Sequence, residues 1–250
     1  MSNVISFYDI PSKTGKPWSG NTWKARYALN YKGIPYKTVW VEYPDIEAAA
    51  KQIGAAPTGK RPDGTPLYTC PMIHDPSTNT AVSESLAIAE YLDRQYPDTP
   101  RLLPPGTTAL QHAFMTVFQP LGGPALQFAL PATHRYLTPA SEGYFRFHRE
   151  KAFGKIMETW TPTGPERDVE WAKVKASFNT LDGWLQAGKA DGPFFGGKIP
   201  CFSDFAVGAR LIWYKLIFGE DGEKWKDILT WNEGRWAAYT ESLKPYEAVL

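Results

Sequence analysis

The alternation of apolar and polar positions predicts strands and helices in the first third of the chain. Residues 4–9 predict a short strand, residues 23–32 a helix ended by Gly33 and Pro35, and residues 36–41 a second strand. A helix that joins two strands forms a βαβ unit, which is right-handed in almost all proteins. A short helix at 44–53 and a turn-rich stretch follow.

A hairpin and a helix close this first part. Residues 72–74 and 79–82 predict two strands around a turn at 75–78. Ser83 is placed to cap the next helix, which ends before Pro97 and has an apolar face formed by Leu86, Ala89, Leu92 and Tyr96. The predicted order is therefore βαβαββα.

The rest of the chain is predicted to be helical. Residues 109–119 form a helical pattern that ends at the Pro- and Gly-rich residues 120–124, residues 142–160 predict another helix, and residues 161–168 a loop. Two later helices have apolar positions spaced by three and four, namely Trp171, Val174, Phe178, Leu181 and Leu185, then Phe205, Ala209, Ile212 and Leu216.

The proline-rich residues 99–106 predict a linker between two domains. We expect an α/β domain at 1–98, a linker at 99–108 and an all-α domain at 109–250. A chain of 250 residues is long enough for two modest domains of this kind.

Composition and charge exclude several classes of function. With 27 basic and 26 acidic residues, the formal charge of +1 gives no reason to expect binding to nucleic acid or to anionic membranes. No stretch approaches the roughly 20 apolar residues that a membrane-spanning helix needs, and no secretory signal is visible. A cytoplasmic protein is therefore expected. Cys70 and Cys201 lie far apart without a CxxC motif, which argues against disulfides and cysteine-based metal sites. The histidines show no metal-ligand spacing, and no metal site is expected; they are His74, His112, His134 and His148.

Aromatic residues are abundant, with 10 Trp, 13 Tyr and 13 Phe. They can fill a core, or some of them can line a pocket for flat, apolar molecules. The sequence leaves both interpretations open.

Residues 68–92, YTCPMIHDPSTNTAVSESLAIAEYL, place a proline, a hairpin and the start of a helix close together. A proline that begins a strand is most often a trans residue at a sheet edge. Glu84 and Ser85 can be ordinary first-turn residues of a helix, but a helix N-terminus next to a strand edge also suits a small peptide with free carboxylates.

Residues 18–26, WSGNTWKAR, precede the first predicted helix and contain no cysteine. A hydroxyl near a helix N-terminus can donate to a bound thiolate, which the helix dipole also stabilises. Taken alone, Ser19 can simply be a turn residue without a chemical role, and Asn21 and Thr22 are alternatives to it. Thr22 can also serve simply as the helix N-cap.

These two segments resemble the cytosolic glutathione transferases. The run SGNTWKARYAL is similar to the SxxxWRxxxAL pattern of the serine-type enzymes, with Ser19 at the serine position. The Trp and the Tyr-Ala-Leu after it resemble most closely the fungal etherase-like FuA class, which is related to bacterial β-etherases. The resemblance implies a thioredoxin-like α/β domain followed by an all-α domain.

The resemblance also implies a binding site for glutathione, the cosubstrate. It implies that Pro71 is cis and that the Met72 backbone pairs with the cysteinyl part of glutathione. Ser85 and Glu84 would bind the γ-glutamyl carboxylate and ammonium, with the sulfur near Ser19. A cation is expected for the glycyl carboxylate; Lys60 is the candidate, with Lys51 and Arg61 as alternatives.

The segment PCFSDFAVGARL, residues 200–211, departs from the family pattern. Many transferases have Ser/Thr-x-x-Asp here as a capping box, but this chain has Cys201 at the cap position and Asp204 in place. Either Ser203 caps a shifted helix or Cys201 replaces the hydroxyl, and we expect Ser203.

The implied function is activation of the glutathione thiolate for attack on hydrophobic, aromatic electrophiles, by conjugation or ether cleavage. The second substrate would lie between the domains, near aromatic residues that include Trp18, Phe114, Phe118, Trp160 and Trp213. The alternative is a ligandin that binds aromatic molecules without chemistry, and a transferase-like module of a protein assembly is a third hypothesis. The family resemblance also implies a homodimer.

Overall fold

A computed structural model describes residues 4–250. The elements of its first domain are β1 (Ile5–Asp9), α1 (Gly20–Lys32), β2 (Tyr36–Trp40), α2 (Ile46–Ile53), β3 (Gly59–Lys60), β4 (Pro66–Leu67), β5 (Met72–Asp75), β6 (Thr80–Ser83) and α3 (Ser85–Gln95). Four of the strands form a sheet of order β2-β1-β5-β6, in which β1 is parallel to β2 and antiparallel to β5. The predicted βαβαββα order and thioredoxin-like fold are confirmed. The turn-rich stretch additionally holds a two-stranded hairpin, β3 (Gly59–Lys60) with β4 (Pro66–Leu67).

The second domain is helical, as predicted. Its helices are α4 (Thr108–Leu121), α5 (Leu126–Tyr136), α6 (Pro139–Phe153), α7 (Gly164–Ala187), α8 (Phe202–Phe218) and α9 (Glu223–Leu243), the last interrupted at residues 231–234. None of the helices among the described residues is long and apolar enough to cross a membrane.

Two predicted boundaries in this domain are wrong. The helix expected at 142–160 starts earlier, because the Thr138 side chain accepts from the Ser141 N–H and Pro139 occupies the first turn. It ends at Gly154, whose positive φ of 65° suits glycine. The loop expected at 161–168 in fact contains the first turn of α7.

A buried ion pair joins α1 to the sheet. Arg26 Nη2 lies 2.7 Å from Asp9 Oδ2, and both side chains are 0% exposed. Arg26 Nη1 also donates to the hydroxyls of Tyr36 and Thr38 on β2. The pair therefore fixes α1 against β1 and β2, which positions the start of the helix.

The segment between α3 and α4 is held by one carboxylate. Asp93 accepts the backbone N–H groups of Leu102 and Leu103 and pairs with Lys32 Nζ at 2.8 Å. Leu102 is fully buried. The linker at 99–108, and with it the domain boundaries at 98 and 109, stays a prediction.

Helix α1 of the first domain packs closely against helix α8 of the second. A Cβ atom at Gly20 would lie 3.0 Å from the Ala209 carbonyl oxygen and 3.1 Å from Trp213 Cβ. The absence of a side chain at Gly20 thus lets the start of α1 approach α8. The residue before it, Ser19, consequently lies at the junction of the two domains.

The expectation that Ser203 caps α8 is wrong. Helix α8 begins at Phe202 with Cys201 as its N-cap, and the Asp204 carboxylate accepts the Cys201 N–H at 2.8 Å. The Ser203 N–H and hydroxyl donate instead to Gln111 Oε1. The side-chain oxygen of Gln111 thus binds both Ser203 groups, and the cap stays at the position of the family pattern.

Candidate functional site

Ser19 is the N-cap residue of α1. Its backbone is extended (φ −68°, ψ 119°), its hydroxyl accepts from the Asn21 N–H at 3.3 Å, and its carbonyl accepts from the Trp23 N–H. The interpretation of Thr22 as the cap is wrong, because the Thr22 hydroxyl donates to the Ser19 carbonyl. Ser19 therefore places a hydroxyl at the positive end of a 13-residue helix.

Two indole groups hold the loop that precedes Ser19. Trp18 Nε1 donates to the Pro11 carbonyl at 3.1 Å, and Trp23 Nε1 donates to the Pro17 carbonyl at 3.2 Å. Both tryptophans are buried. These contacts restrict the backbone on either side of the hydroxyl, so Ser19 is held in a defined orientation.

A cavity of about 420 Å³ opens beside Ser19, between the two domains. Both Ser19 and Asn21 line it, whereas Thr22 is fully buried and does not. Its size is in the range of small-molecule sites. Of the three predicted candidates, Ser19 and Asn21 are therefore the two that can face a sulfur in this cavity.

The predicted aromatic wall is partly present. Trp18, Phe118 and Trp213 line the cavity, together with Tyr43, Phe145 and Phe153, which sequence reasoning did not single out. Phe114 and Trp160 do not line it. Phe114 packs against Phe118, Trp184 and Phe195, and Trp160 against Phe153.

The cavity also has cations that sequence reasoning missed: Lys24, Arg149 and Arg210. Burial lowers the pKa of Lys24 to about 8, an effect that the nearby Glu84 charge opposes and the Arg210 charge reinforces. Burial likewise lowers the pKa of Arg210. The available signal was the helical spacing, because Lys24 shares a helix face with the apolar Tyr27 and Ala28, three and four residues later.

The Cys70–Pro71 peptide bond is cis, as the resemblance implied. Met72 lies at the start of β5, in register with Tyr8 on one side and Ser83 on the other, and its side chain is fully buried. Strands therefore flank Met72 on both sides. The backbone of Cys70 and Pro71, just before it, lies outside the strand.

Glu84, and not Ser83, caps α3, so the predicted cap at Ser83 is wrong. Ser83 ends β6, while the Glu84 carboxylate accepts from the N–H groups of Leu86 and Ala87 and from the Ser85 hydroxyl. A longer acidic side chain reaches the helix N–H groups that a serine was expected to satisfy.

The backbone of Glu84 is unusual and connects this cap to Pro71. Its φ of 78° is rare for a residue other than glycine, and such geometry concentrates at functional sites. The Glu84 N–H donates to the Pro71 carbonyl at 3.4 Å, which brings the two sequence motifs into contact.

Two of the three candidate cations for the glycyl carboxylate already have an acidic partner. Lys51 Nζ lies 2.8 Å from one Glu47 carboxylate oxygen, and Arg61 Nη2 lies 2.9 Å from the other. Lys60 lies in the exposed β3 strand and is not engaged with Glu47.

Neither cysteine provides a reactive thiol. Both are buried and free, and burial raises the pKa of Cys70 and of Cys201 far above the ordinary thiol range. The start of α1, where thioredoxin-like redox enzymes carry cysteine, has the serine hydroxyl in this chain.

Comparison with known proteins identifies the family. The profile of the glutathione S-transferase N-terminal domain matches residues 18–95, and that of the C-terminal domain matches residues 109–246. A glutathione S-transferase-like protein of Aspergillus flavus, ustS, is 32% identical over 94% of this chain and 87% of its own length.

Solved structures of fungal transferases are similar over the whole chain. CsGST63524 of Ceriporiopsis subvermispora, solved in complex with glutathione, is 47% identical, with a TM-score of 0.95 and 99% of each chain covered. GSTFuA2 of Phanerochaete chrysosporium is 43% identical, with a TM-score of 0.93 and 100% of each chain covered. The predicted resemblance to the fungal FuA class is confirmed, and the chain belongs to the glutathione S-transferase family.

Proposed function

We propose that the chain binds glutathione and activates its thiol for attack on aromatic electrophiles. The observation that carries this proposal is the position of Ser19. Its hydroxyl caps α1 and opens onto an aromatic-walled cavity between the domains. A hydroxyl, a helix N-terminus and an apolar pocket are the three elements that thiolate transfer to an apolar substrate requires.

Residues of the first domain supply the binding contacts for the tripeptide. Ser85 and Glu84 at the start of α3 recognise the γ-glutamyl head group, and the backbone just before Met72, at Cys70 and Pro71, pairs with the cysteinyl part. Lys60 binds the glycyl carboxylate. The presence of glutathione in the complex of the similar Ceriporiopsis enzyme supports glutathione as the ligand of this chain.

Ser19 acts as a hydrogen-bond donor to the sulfur and forms no covalent bond. The thiol of glutathione resembles a free cysteine, with a pKa of about 8.5, and lowering it by about two units requires ~2.7 kcal/mol. One charge-assisted hydrogen bond together with the helix dipole is of this size. The thiolate attacks an electrophilic carbon, a C–S bond forms, and the leaving group departs with its bonding electrons as the carbon–leaving-group bond breaks.

Replacement of Ser19 tests the role of its hydroxyl. We predict that Ser19→Ala and Ser19→Gly lower turnover of an aryl halide by about ten-fold or more and leave glutathione affinity nearly unchanged, since one donor at the reacting atom is lost. Asn21→Ala is the matched control at the other polar group of the cavity edge. Unchanged turnover in both Ser19 variants, with a loss in Asn21→Ala, would move the role to Asn21.

A ligandin is the alternative function, because an aromatic cavity of this size can hold a molecule without transforming it. Saturable binding of aromatic molecules without turnover in the presence of glutathione would establish the ligandin.

We also propose that the chain forms a cytoplasmic homodimer. The test of the dimer is a mass in solution of twice the 28.0 kDa of one chain.

A further inference from the structure

The charged side chains that line the interdomain cavity all carry the same sign. Lys24 projects from α1, Arg149 from α6 and Arg210 from α8, so three separate helices each contribute a cation. No aspartate or glutamate is among the lining residues. A cavity that served only neutral aromatic molecules would gain nothing from three buried or half-buried cations, since each one carries a desolvation cost.

None of the three cations forms an ion pair with a carboxylate among residues 4–250. Lys24 is only 6% exposed and donates no hydrogen bond within the described part of the chain. The negative charge of Glu84 raises the pKa of Lys24. The Glu84 carboxylate, however, already accepts hydrogen bonds from the backbone N–H groups of Leu86 and Ala87 in the first turn of α3.

Arg210 is satisfied only by neutral groups. Its Nη2 donates to the Phe118 carbonyl at 3.0 Å, and its guanidinium lies 3.6 Å from the centre of the Phe118 ring. A Cβ atom at Gly122 would lie 3.2 Å from the same guanidinium, so the glycine makes room for it. The guanidinium is thus held against an aromatic wall of the cavity with its charge uncompensated.

An anion in the cavity would compensate these charges. A buried cation without a partner is unfavourable, and burial accordingly lowers the pKa of Lys24. A carboxylate or sulfonate beside Lys24 and Arg210 would form charge-assisted hydrogen bonds in a site of low dielectric, where such bonds are strong. The aromatic walls would hold the apolar remainder of the same molecule.

We propose that the cavity selects aromatic molecules that carry an anionic group, with Lys24 and Arg210 as the groups that determine this specificity. The inference rests on the proposed function, because it takes this cavity as the site of the second substrate. It goes further in naming the class of that substrate: an acidic aromatic compound and not a neutral one.

A matched pair of probes tests the proposal. 2-Naphthoate and 2-naphthamide share one ring system and differ in charge, and calorimetry at neutral pH with saturating glutathione measures the affinity of each. We expect the naphthoate to bind at least ten-fold more tightly to the wild-type chain. In Lys24→Met the ratio of affinities should fall to less than about three-fold, whereas Lys175→Met, which removes an exposed lysine on α7, should leave it unchanged.

Two results would overturn the proposal. One is equal affinity for the two probes in the wild-type chain. The other is a Lys24→Met variant that loses glutathione affinity but keeps the wild-type preference, which would assign the cation to glutathione. Glutathione affinity is measured separately without a probe, so a failure of the proposed function is recognised independently.

Folding of the variant does not limit the test. Lys24→Met removes an unpaired buried charge, so its urea midpoint should not fall below that of the wild type.

Discussion

Ser19 combines a structural role with the chemical role proposed for it. As the N-cap of α1 it satisfies a helix N–H, and its replacement by alanine typically costs about 1 kcal/mol, but replacement by glycine only a few tenths. We therefore expect Ser19→Ala and Ser19→Gly to differ in urea stability yet to lose the same turnover. Turnover that instead followed stability across the two variants would show that Ser19 acts only as a cap.

The pair of Asp9 and Arg26 is the second residue-scale feature with a clear consequence. Because both side chains are fully buried, Arg26→Met would leave the Asp9 carboxylate without its cation. We predict a loss of about 3–5 kcal/mol in the free energy of unfolding, measured by urea denaturation.

The exposed pair of Arg167 and Glu223 provides the control for that measurement. Arg167→Met should cost less than about 1 kcal/mol, since solvent screens this pair. Similar losses in both variants would contradict the distinction between the buried pair and the exposed one.

At the scale of elements, Asp204 organises the start of α8. Its carboxylate accepts the backbone N–H groups of Phe195, Gly196 and Cys201 and the hydroxyl of Tyr239. Asp204→Ala leaves these four donors without their acceptor, and we predict a loss of at least about 3 kcal/mol in unfolding free energy. Ser203→Ala removes one neutral hydroxyl donor and should cost only about 1 kcal/mol. A larger loss in Ser203→Ala would restore Ser203 as the important group of this turn.

Local signals predicted the elements of the first domain better than those of the second. The strands were predicted from their β-branched and aromatic residues, and the end of α1 from Gly33. Each of these signals lies within the element that it predicts or directly beside it. No helix was predicted at residues 126–136, where α5 contains Pro131, a residue that usually interrupts a helix.

The identity of a helix cap depended on contacts that the sequence does not show. Ser203 was expected to cap α8, but the distant Gln111 binds it. Ser83 was expected to cap α3, but it is needed to end β6, and Glu84 reaches the same N–H groups. In both cases a side chain of suitable chemistry was outcompeted by a neighbour in the fold.

At the scale of the molecule, the cavity could not be derived from local patterns. Its cations come from α1, α6 and α8, which lie far apart in the sequence, and only the packing of the domains brings Lys24, Arg149 and Arg210 together. Ser19 could be singled out only through the resemblance to a known family. Among the aromatic residues, Trp18, Phe118 and Trp213 line the cavity as expected, because α1, α4 and α8 meet there.

The close contact of α1 with α8 couples the two proposed halves of the site. Because Gly20 has no side chain, the start of α1 packs close to α8. Ser19 therefore lines the same cavity as Ala206, Arg210 and Trp213 of α8. The group that would activate glutathione and the walls that would hold the second substrate are therefore parts of one interface. Thiol activation at this interface is the claim on which the proposed function depends.

Titration of bound glutathione tests that claim most directly. Thiolate absorbance is followed against pH for glutathione bound to the wild-type chain, to Ser19→Ala and to Ser19→Gly. We predict a thiol pKa about two units below that of free glutathione in the wild type, and a value that returns most of the way to that of free glutathione in both variants. Glutathione that binds with an unshifted thiol pKa would contradict activation at Ser19 and leave a ligandin, and no binding at all would contradict the assigned glutathione site as well.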